Sequence, residues 1–153
     1  MRIGIDLGGT SAAVGLVDEN YNVLYKTSVS TNDCKTEKAL TEKLINCVHD
    51  LIALSGVSLD AVDSIGIGSP GSIDIENGVV LSAGNLPLFN TPIAKILEDE
   101  FHKKVYLDND ANCAAWGEFH AGAAKEYNSA VMITLGTGIG GGIIIEGKLI
   151  HGK

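Results

Sequence analysis

Apolar and polar residues alternate along the first part of the chain. Ile3, Ile5 and Leu7 are separated by single small or polar residues, and apolar runs at 13–17 and 22–25 follow after turn-forming residues. Period-two alternation bounded by turns is typical of β-strands. The pattern predicts three consecutive strands joined by tight turns.

The apolar spacing then changes to that of a helix. Leu40, Leu44, Val48, Leu51 and Ile52 fall on one side of a helix, across a polar stretch without proline or glycine. An apolar stripe of this kind packs on a sheet. We expect one amphipathic helix that crosses over between strands.

Strand and helix patterns alternate in the next part. A buried strand at 64–68 ends at the breaker Ser69-Pro70-Gly71. A loop carrying Asn85-Leu86-Pro87 then leads to a second helix, with Thr91 as its N-cap and Pro92 at its first position.

A short strand at 104–107 and a helix at 111–120 complete the order β-β-β-α-β-α-β-α. The alternating later half favours an α/β fold, with a mixed sheet and helices on its faces. Apolar runs at 130–135 and 143–145 flank a glycine-rich turn and predict a β-hairpin.

We interpret residues 1–121 as one domain and residues 122–153 as the truncated start of a second. A lone hairpin is marginally stable in water. Either the chain is a piece of a longer protein, or something else covers the hairpin.

Composition limits the partners. The 153 residues are 45% hydrophobic and carry a formal net charge of −8, which repels nucleic acid and anionic lipid. No run approaches the ~20 apolar residues of a membrane span, and Asp6 falls where a signal peptide would be apolar, so we expect a cytoplasmic protein. The spacing of cysteines and histidines predicts reduced thiols and no histidine-bound metal.

Asp6-Leu7-Gly8-Gly9-Thr10 is the first segment that could carry chemistry. Two glycines at a strand end let backbone N–H groups approach a phosphate, and Thr10 adds a hydroxyl. A carboxylate on the buried side of the strand end is costly unless it meets a cation, and Mg²⁺ held through water would suit Asp6. A tight β-turn explains the same residues about equally well.

Gly136-Thr137-Gly138-Ile139-Gly140-Gly141-Gly142 is the second segment and contains a Gly-x-Gly-x-x-Gly match. A dinucleotide-binding fingerprint must open a helix, whereas here an apolar β-type run follows. We interpret the segment as a hairpin turn wrapped round phosphate, with a flexible glycine turn as the alternative.

Asp108-Asn109-Asp110-Ala111-Asn112 lies where a strand meets a helix. These residues could merely cap the helix. Two carboxylates and two amides exceed what one cap needs, and they could accept a proton from a substrate hydroxyl and hold a second hydroxyl. The loops at 68–72 and 84–86 emerge from the same sheet edge if the strand order is right. Polar uncharged loops suit a sugar, although each alone could be a plain turn.

In order and spacing these segments resemble the ROK family of sugar kinases and sugar-responsive regulators. The resemblance rests on DLGGT at 6–10, GIGSPG at 66–71, DNDANCAAWGE at 108–118 and LGTGIGGG at 135–142, and it covers nearly the whole chain. It implies a ribonuclease-H-like, actin-type ATPase fold, with ATP between two domains and a sugar in the cleft.

The resemblance also implies roles for single residues. The ATP and Mg²⁺ contacts would be Asp6, Gly8, Gly9 and Thr10, with Asp6 on the metal through water. The second phosphate loop would be Gly136, Thr137, Gly138 and Gly140. Asp110 would be the catalytic base, and the sugar would contact Gly71, Ser72, Asn85, Asn109 and Asp110.

The implied activity is ATP-dependent phosphorylation of a hexose or N-acetylhexosamine, with a homodimer as the expected assembly. The family's downstream sugar-binding Glu and His and its zinc motif would lie beyond the residues present, so we expect this chain alone to be inactive and to hold no zinc. One alternative is a ROK-type sugar-sensing transcriptional regulator, although no helix-turn-helix domain fits before Asp6. Another is a non-catalytic sugar-binding module.

Overall fold

Three antiparallel strands build the first half of the central sheet. The computed structural model describes residues 1–136 and 138–152. The strands are β1 (Arg2–Leu7), β2 (Ser11–Val17) and β3 (Val23–Ser30). β1 pairs with β2, and β2 pairs with β3. This confirms the prediction from the alternating pattern.

Parallel strands build the other half. β4 (Ser64–Ser69) pairs parallel with β1, and β8 (Lys104–Asn109) pairs parallel with β4. The sheet order is β3-β2-β1-β4-β8. The predicted α/β fold with a mixed sheet is therefore confirmed.

Helices cover the sheet on both sides. α1 (Glu37–Ser55) starts at Thr36, whose hydroxyl accepts the Ala39 N–H, and stops at Gly56, whose φ of 66° few other residues tolerate. α2 (Ile93–Phe101) precedes β8, and α3 (Asp110–Ala121) follows it.

The hydrophobic core lies between one face of the sheet and α1 with α2. The odd-numbered residues of β1 are buried there, together with Leu44 of α1 and Leu97 of α2. The opposite face carries small residues, among them Gly4, Gly15, Gly66 and Gly68. α3 lies on that second face, where it contacts the end of β4.

The segment between β4 and α2 contains more structure than a loop. β5 (Ser72–Asp74), β6 (Val79–Ser82) and β7 (Phe89–Thr91) form a separate three-stranded sheet. These strands are too short to show an alternating pattern in the sequence.

The predicted N-cap role of Thr91 is wrong. Thr91 ends β7, is fully buried, and donates its hydroxyl hydrogen to Glu37 Oε2 at 2.7 Å. Pro92 is the residue before α2, which has no side-chain cap. The hydroxyl is therefore committed to a buried link with α1.

The C-terminal hairpin is also longer than predicted. β9 (Ala130–Leu135), β10 (Ile139–Ile145) and β11 (Lys148–Leu149) form a third sheet, and residues 140–142 lie within β10 and not in the turn. A Cβ on Gly142 would overlap Ala115 of α3. These glycines thus let a strand lie directly on a helix.

α3 covers only one side of this third sheet. Ile144 is buried on the inner side, whereas Val131, Leu135 and Ile139 are 70%, 80% and 83% exposed on the outer side. Part of the expected cover of the hairpin is therefore α3 itself. No helix in the described part of the chain is long and apolar enough to span a membrane.

Candidate functional site

Polar residues stand at the carboxyl ends of the parallel strands. Asp6 of β1 is in register with Gly68 of β4, and Gly68 is in register with Asp108 of β8. Neighbouring strands lie roughly 5 Å apart, so the two carboxylates flank a position without a side chain. Asp6, Asp108 and Asp110 line one open cavity.

The glycine at the centre of this row lets α3 approach the sheet. A Cβ on Gly68 would lie 3.2 Å from Cys113 Cβ and 3.5 Å from the Cα of Asp110. Any larger residue would push the first turn of α3 outward. Gly68 therefore fixes how close Asp110 sits to the strand ends.

The pKa of the Cys113 thiol reflects the carboxylates around it. Burial, followed by the negative charges of Asp108, Asp110 and Asp6, raises the pKa of Cys113 to about 12. Burial and nearby negative charge both disfavour a thiolate. All three carboxylates therefore lie close enough to influence the Cys113 thiol at the start of α3.

Asn109 and Asp110 make different hydrogen bonds at the start of α3. Asn109 Oδ1 accepts the N–H of Ala111 at 3.0 Å and of Asn112 at 3.4 Å, so the capping interpretation holds for Asn109. Asp110 Oδ1 also accepts the Ala111 N–H, at 2.8 Å. Asp110 Oδ2 accepts no hydrogen bond within residues 1–136 and 138–152, which leaves it open to a ligand.

Asp108 is the most fully bonded member of the cluster. Its Oδ1 accepts from Asn112 Nδ2 at 2.9 Å and from the Asn109 N–H at 2.6 Å, and its Oδ2 lies 2.7 Å from His151 Nε2. Its carboxylate is used within the protein. Asp110 is therefore the better candidate for a group that meets substrate.

The first glycine turn keeps two backbone donors open. Gly8 donates its N–H to the Ser11 carbonyl at 2.9 Å, whereas the N–H groups of Gly9 and Thr10 donate to no acceptor within the described ranges. Thr10 is exposed. Two amides and a hydroxyl fit a phosphate group.

Asn85 lies directly against this turn. A Cβ on Gly9 would overlap the side-chain amide of Asn85. The glycine is therefore needed because a neighbouring side chain occupies the space. This contact joins a predicted sugar-binding position to a predicted phosphate-binding one.

Gly71, in the loop after β4, lies between β6 and the end of β8. Its φ is 98°, and a Cβ there would overlap the Ser82 carbonyl oxygen. Asn109 Nδ2 approaches the Gly71 carbonyl at 3.5 Å. Ser72 is exposed at the start of β5 and pairs with Ser82. The loop at 68–72 therefore lies against Ser82 and Ala83 and close to Asn109, and the predicted sugar contact of Asn85 remains a prediction.

The described residues of the second glycine turn, Gly136 and Gly138, make few contacts with the rest of the site. Gly136 and Gly138 are exposed at the tip of the β9–β10 hairpin, and the Gly136 N–H donates to the Gly138 carbonyl at 3.0 Å. Thr137 lies outside the described residues. Gly140 sits in β10 against Ala111. Its predicted place in a phosphate loop remains a prediction.

Asp6 is exposed, and the expectation of a carboxylate on the buried side is wrong. It lies on the sheet face opposite the main core, where the neighbouring strand carries Gly68. No group of three metal-ligating side chains occurs among the residues that the structure describes. One open carboxylate fits Mg²⁺ that keeps its waters and takes further ligands from phosphates, which is the usual way proteins bind it.

Sequence reasoning included Asp108 in the polar segment 108–112 without giving it a role of its own, and it singled out neither Cys113 nor His151. The period-two pattern of β8 could have placed Asp108 on the same face as Asp6, because alternate strand residues share a face. His151 follows the last short strand and gives no local signal.

The profile of the ROK family matches residues 2–153. A glucokinase of Thermotoga maritima is 40% identical over 152 residues, which is 99% of this chain and 46% of that protein. An N-acetyl-D-glucosamine kinase of Citrobacter koseri is 33% identical, over 99% of this chain and 48% of that protein. The chain therefore spans about half the length of these relatives.

Solved structures agree on the fold. A ROK family glucokinase from Streptomyces griseus, in complex with glucose and AMPPNP, matches with a TM-score of 0.89 and 37% identity, over 99% of this chain and 46% of that one. A ROK family transcriptional regulator, a homologue of the E. coli MLC protein, matches with a TM-score of 0.88 at 22% identity, over 99% of this chain and 38% of that one, and supports the fold alone. The chain has the actin-like ATPase fold of these proteins and belongs to the ROK family.

Proposed function

We propose that the chain supplies the phosphate-binding turns and catalytic carboxylate of an ATP-dependent hexose kinase. The observation that carries this is the open Oδ2 of Asp110, held at a helix start beside the carboxyl ends of β1, β4 and β8. Ligands of open α/β sheets bind outside the carboxyl ends of the strands. Glucose and AMPPNP bound to the Streptomyces griseus relative support the same pairing of substrates.

The sugar would bind between Asn109, Asp110 and the loops that carry Gly71, Ser72 and Asn85. Asn109 Nδ2 makes only a long contact, 3.5 Å, with the Gly71 carbonyl oxygen. The Nδ2 group could therefore donate a hydrogen bond to a sugar hydroxyl. A hexose presents several hydroxyls, and amides can both donate to them and accept from them.

Asp110 would orient the reacting hydroxyl and take its proton. The hydroxyl oxygen forms a bond to the γ-phosphorus of ATP, the bond to the leaving ADP oxygen breaks, and the hydroxyl proton passes to Asp110 Oδ2. The N–H of Ala111 on Oδ1 fixes the direction of the carboxylate. General base catalysis of this kind contributes typically ~10²–10⁴-fold.

The open N–H groups of Gly9 and Thr10, with the Thr10 hydroxyl, would hold phosphate oxygens, and Gly136 to Gly140 would hold others. Asp6 would hold Mg²⁺ through water. Mg²⁺ when bound would neutralise phosphate charge, and positioning with charge neutralisation supplies most of the catalysis in phosphoryl transfer.

The substrate class follows the relatives, which include glucokinases and N-acetyl-D-glucosamine kinases. We propose a hexose or N-acetylhexosamine, with glucose tested first. The net charge of −8 argues against nucleic acid as a partner. A homodimer remains a prediction, which light scattering of the purified protein would test.

The test is an ADP-release assay with Mg-ATP and a panel of hexoses and N-acetylhexosamines. It is run on these 153 residues and on a version extended to the relatives' length, each with Asp110→Asn and with Asp99→Asn as a control at an exposed carboxylate of α2. Turnover that depends on a sugar and is lost only in Asp110→Asn supports the proposal. Sugar binding without turnover in the extended protein would favour a sugar-sensing regulator or a non-catalytic module.

A further inference from the structure

One hydrogen bond ties the third sheet to residues 1–121 within the described part of the chain. His151, just after β11, places Nε2 2.7 Å from Asp108 Oδ2. A carboxylate only accepts, so Nε2 carries the donated hydrogen. Among the residues that the structure describes, no other hydrogen bond joins residues 129–152 to residues 1–121.

Asp108 is placed to transmit this contact. Its other oxygen holds Asn112 of α3 and the backbone N–H of Asn109, and its side chain is only 20% exposed. It precedes Asp110 by two residues. His151 is therefore linked through one carboxylate to both ends of the β8–α3 junction.

Where the glycines of β10 meet α3, the contact is formed by small apolar groups. Gly140 and Gly142 lie on Ala111 and Ala115. Small apolar surfaces set how closely two elements approach, but they form no directional bond that fixes rotation. A hydrogen bond to an ionised group is both directional and comparatively strong.

The position of the turn at Gly136–Gly138 is sensitive to a small rotation of the third sheet at His151. The Ile150 N–H donates to the Ile143 carbonyl, so His151 lies beside the middle of β10, about four residues and roughly 13 Å from Gly138. A rotation of about 4° at His151 would move the turn at Gly136–Gly138 by roughly 1 Å. A misplacement of that size can cost on the order of 10²-fold in rate.

We propose that Asp108 and His151 are a positioning pair that fixes the turn at Gly136–Gly138 relative to Asp110. The proposal rests on the proposed kinase function, in which that turn holds ATP phosphates. Neither residue touches the reacting atoms. Each acts by setting where the phosphates lie with respect to the sugar hydroxyl.

The test compares His151→Leu with His151→Gln in the protein extended to the relatives' length, because glutamine keeps an N–H donor for Asp108. His49→Gln is the matched control. His49 makes a similar surface contact, 3.1 Å from Glu100 Oε1, and it joins α1 to α2 far from the site.

We expect His151→Leu to lower kcat roughly tenfold to hundredfold and to raise KM for ATP, with KM for the hexose unchanged. His151→Gln should recover most of the activity, and His49→Gln should match the wild type. A protein that is merely less folded would lose active fraction while both KM values stayed the same. Wild-type kinetics in His151→Leu, or no recovery in His151→Gln, would overturn the proposal.

Amide hydrogen exchange tests the pair without any kinase assay. In His151→Leu the amides of β10 and β11 should exchange about fivefold faster, while those of β1 and β4 keep their rates. Unchanged exchange in β10 would overturn the pair even if the protein is a kinase. Faster exchange in a protein that phosphorylates no hexose would refute the kinase function and leave the structural link standing.

Discussion

Gly142→Ala tests whether the third sheet lies directly on α3. The added methyl group would overlap Ala115 Cβ and would sit 3.1 Å from the Ala111 carbonyl oxygen and 3.4 Å from Asn112 Cα. All three atoms belong to a helix, so no flexible side chain can move aside. The sheet and the helix must separate.

The cost can be set against the gain from replacing glycine. Overpacking of a close contact costs typically ~1–3 kcal/mol, whereas alanine in place of a strand glycine gains roughly 0.5–1 kcal/mol. We expect Gly142→Ala to lower the free energy of unfolding by about 1–2 kcal/mol and Tm by roughly 2–8 °C.

Gly117→Ala is the matched control on α3. A Cβ at Gly117 meets no atom within 4 Å. Alanine in place of a helix glycine should stabilise the protein by about 1 kcal/mol. Urea unfolding followed by the fluorescence of Trp116, the single tryptophan, reports on the same helix. A Gly142→Ala protein as stable as the wild type would refute the close packing.

Thr91, Cys113 and Gly9 each occupy an environment that a single measurement can test. Thr91→Val should lower the free energy of unfolding by ~1–3 kcal/mol in urea titrations, because Glu37 loses the buried hydroxyl that donates to it at 2.7 Å; an unchanged midpoint would contradict this. Because the folded-state pKa of Cys113 is raised to about 12, its thiol should stay protonated at pH 9 and resist iodoacetamide until the protein unfolds; rapid alkylation of the native protein at this residue would contradict the burial. Gly9→Ala should displace Asn85 and weaken both ATP binding and hexose binding about tenfold in calorimetric titrations. A variant with weaker binding of only one of these ligands would show that the two binding sites do not depend on each other through Asn85.

Much of the central sheet could be predicted from the sequence. The alternation of β1, the helical spacing from Leu40 to Leu51 and the buried run of β4 each depend on local burial, which the pattern records directly. The carboxyl-end placement of Asp6 and Asp110 followed from the strand order. The four ordered motifs added the family.

Contacts between distant segments could not be predicted. Thr91 looks like a helix cap locally, yet Glu37, distant in sequence, determines its role. The glycines of β10 look like a loop, and only the position of Ala115 shows why a strand needs them. His151 meets Asp108 across 43 positions of sequence.

The most direct test of the central claim separates binding from chemistry at Asp110. Hexose affinity by calorimetry and kcat for phosphoryl transfer are measured for the wild type and for Asp110→Asn in the protein extended to the relatives' length. We predict that kcat falls by at least about 10²-fold while the hexose dissociation constant changes by less than about tenfold, because an amide can still bond the hydroxyl but cannot take its proton. A variant that retains kcat within tenfold of the wild type would contradict the assignment of Asp110 as the base.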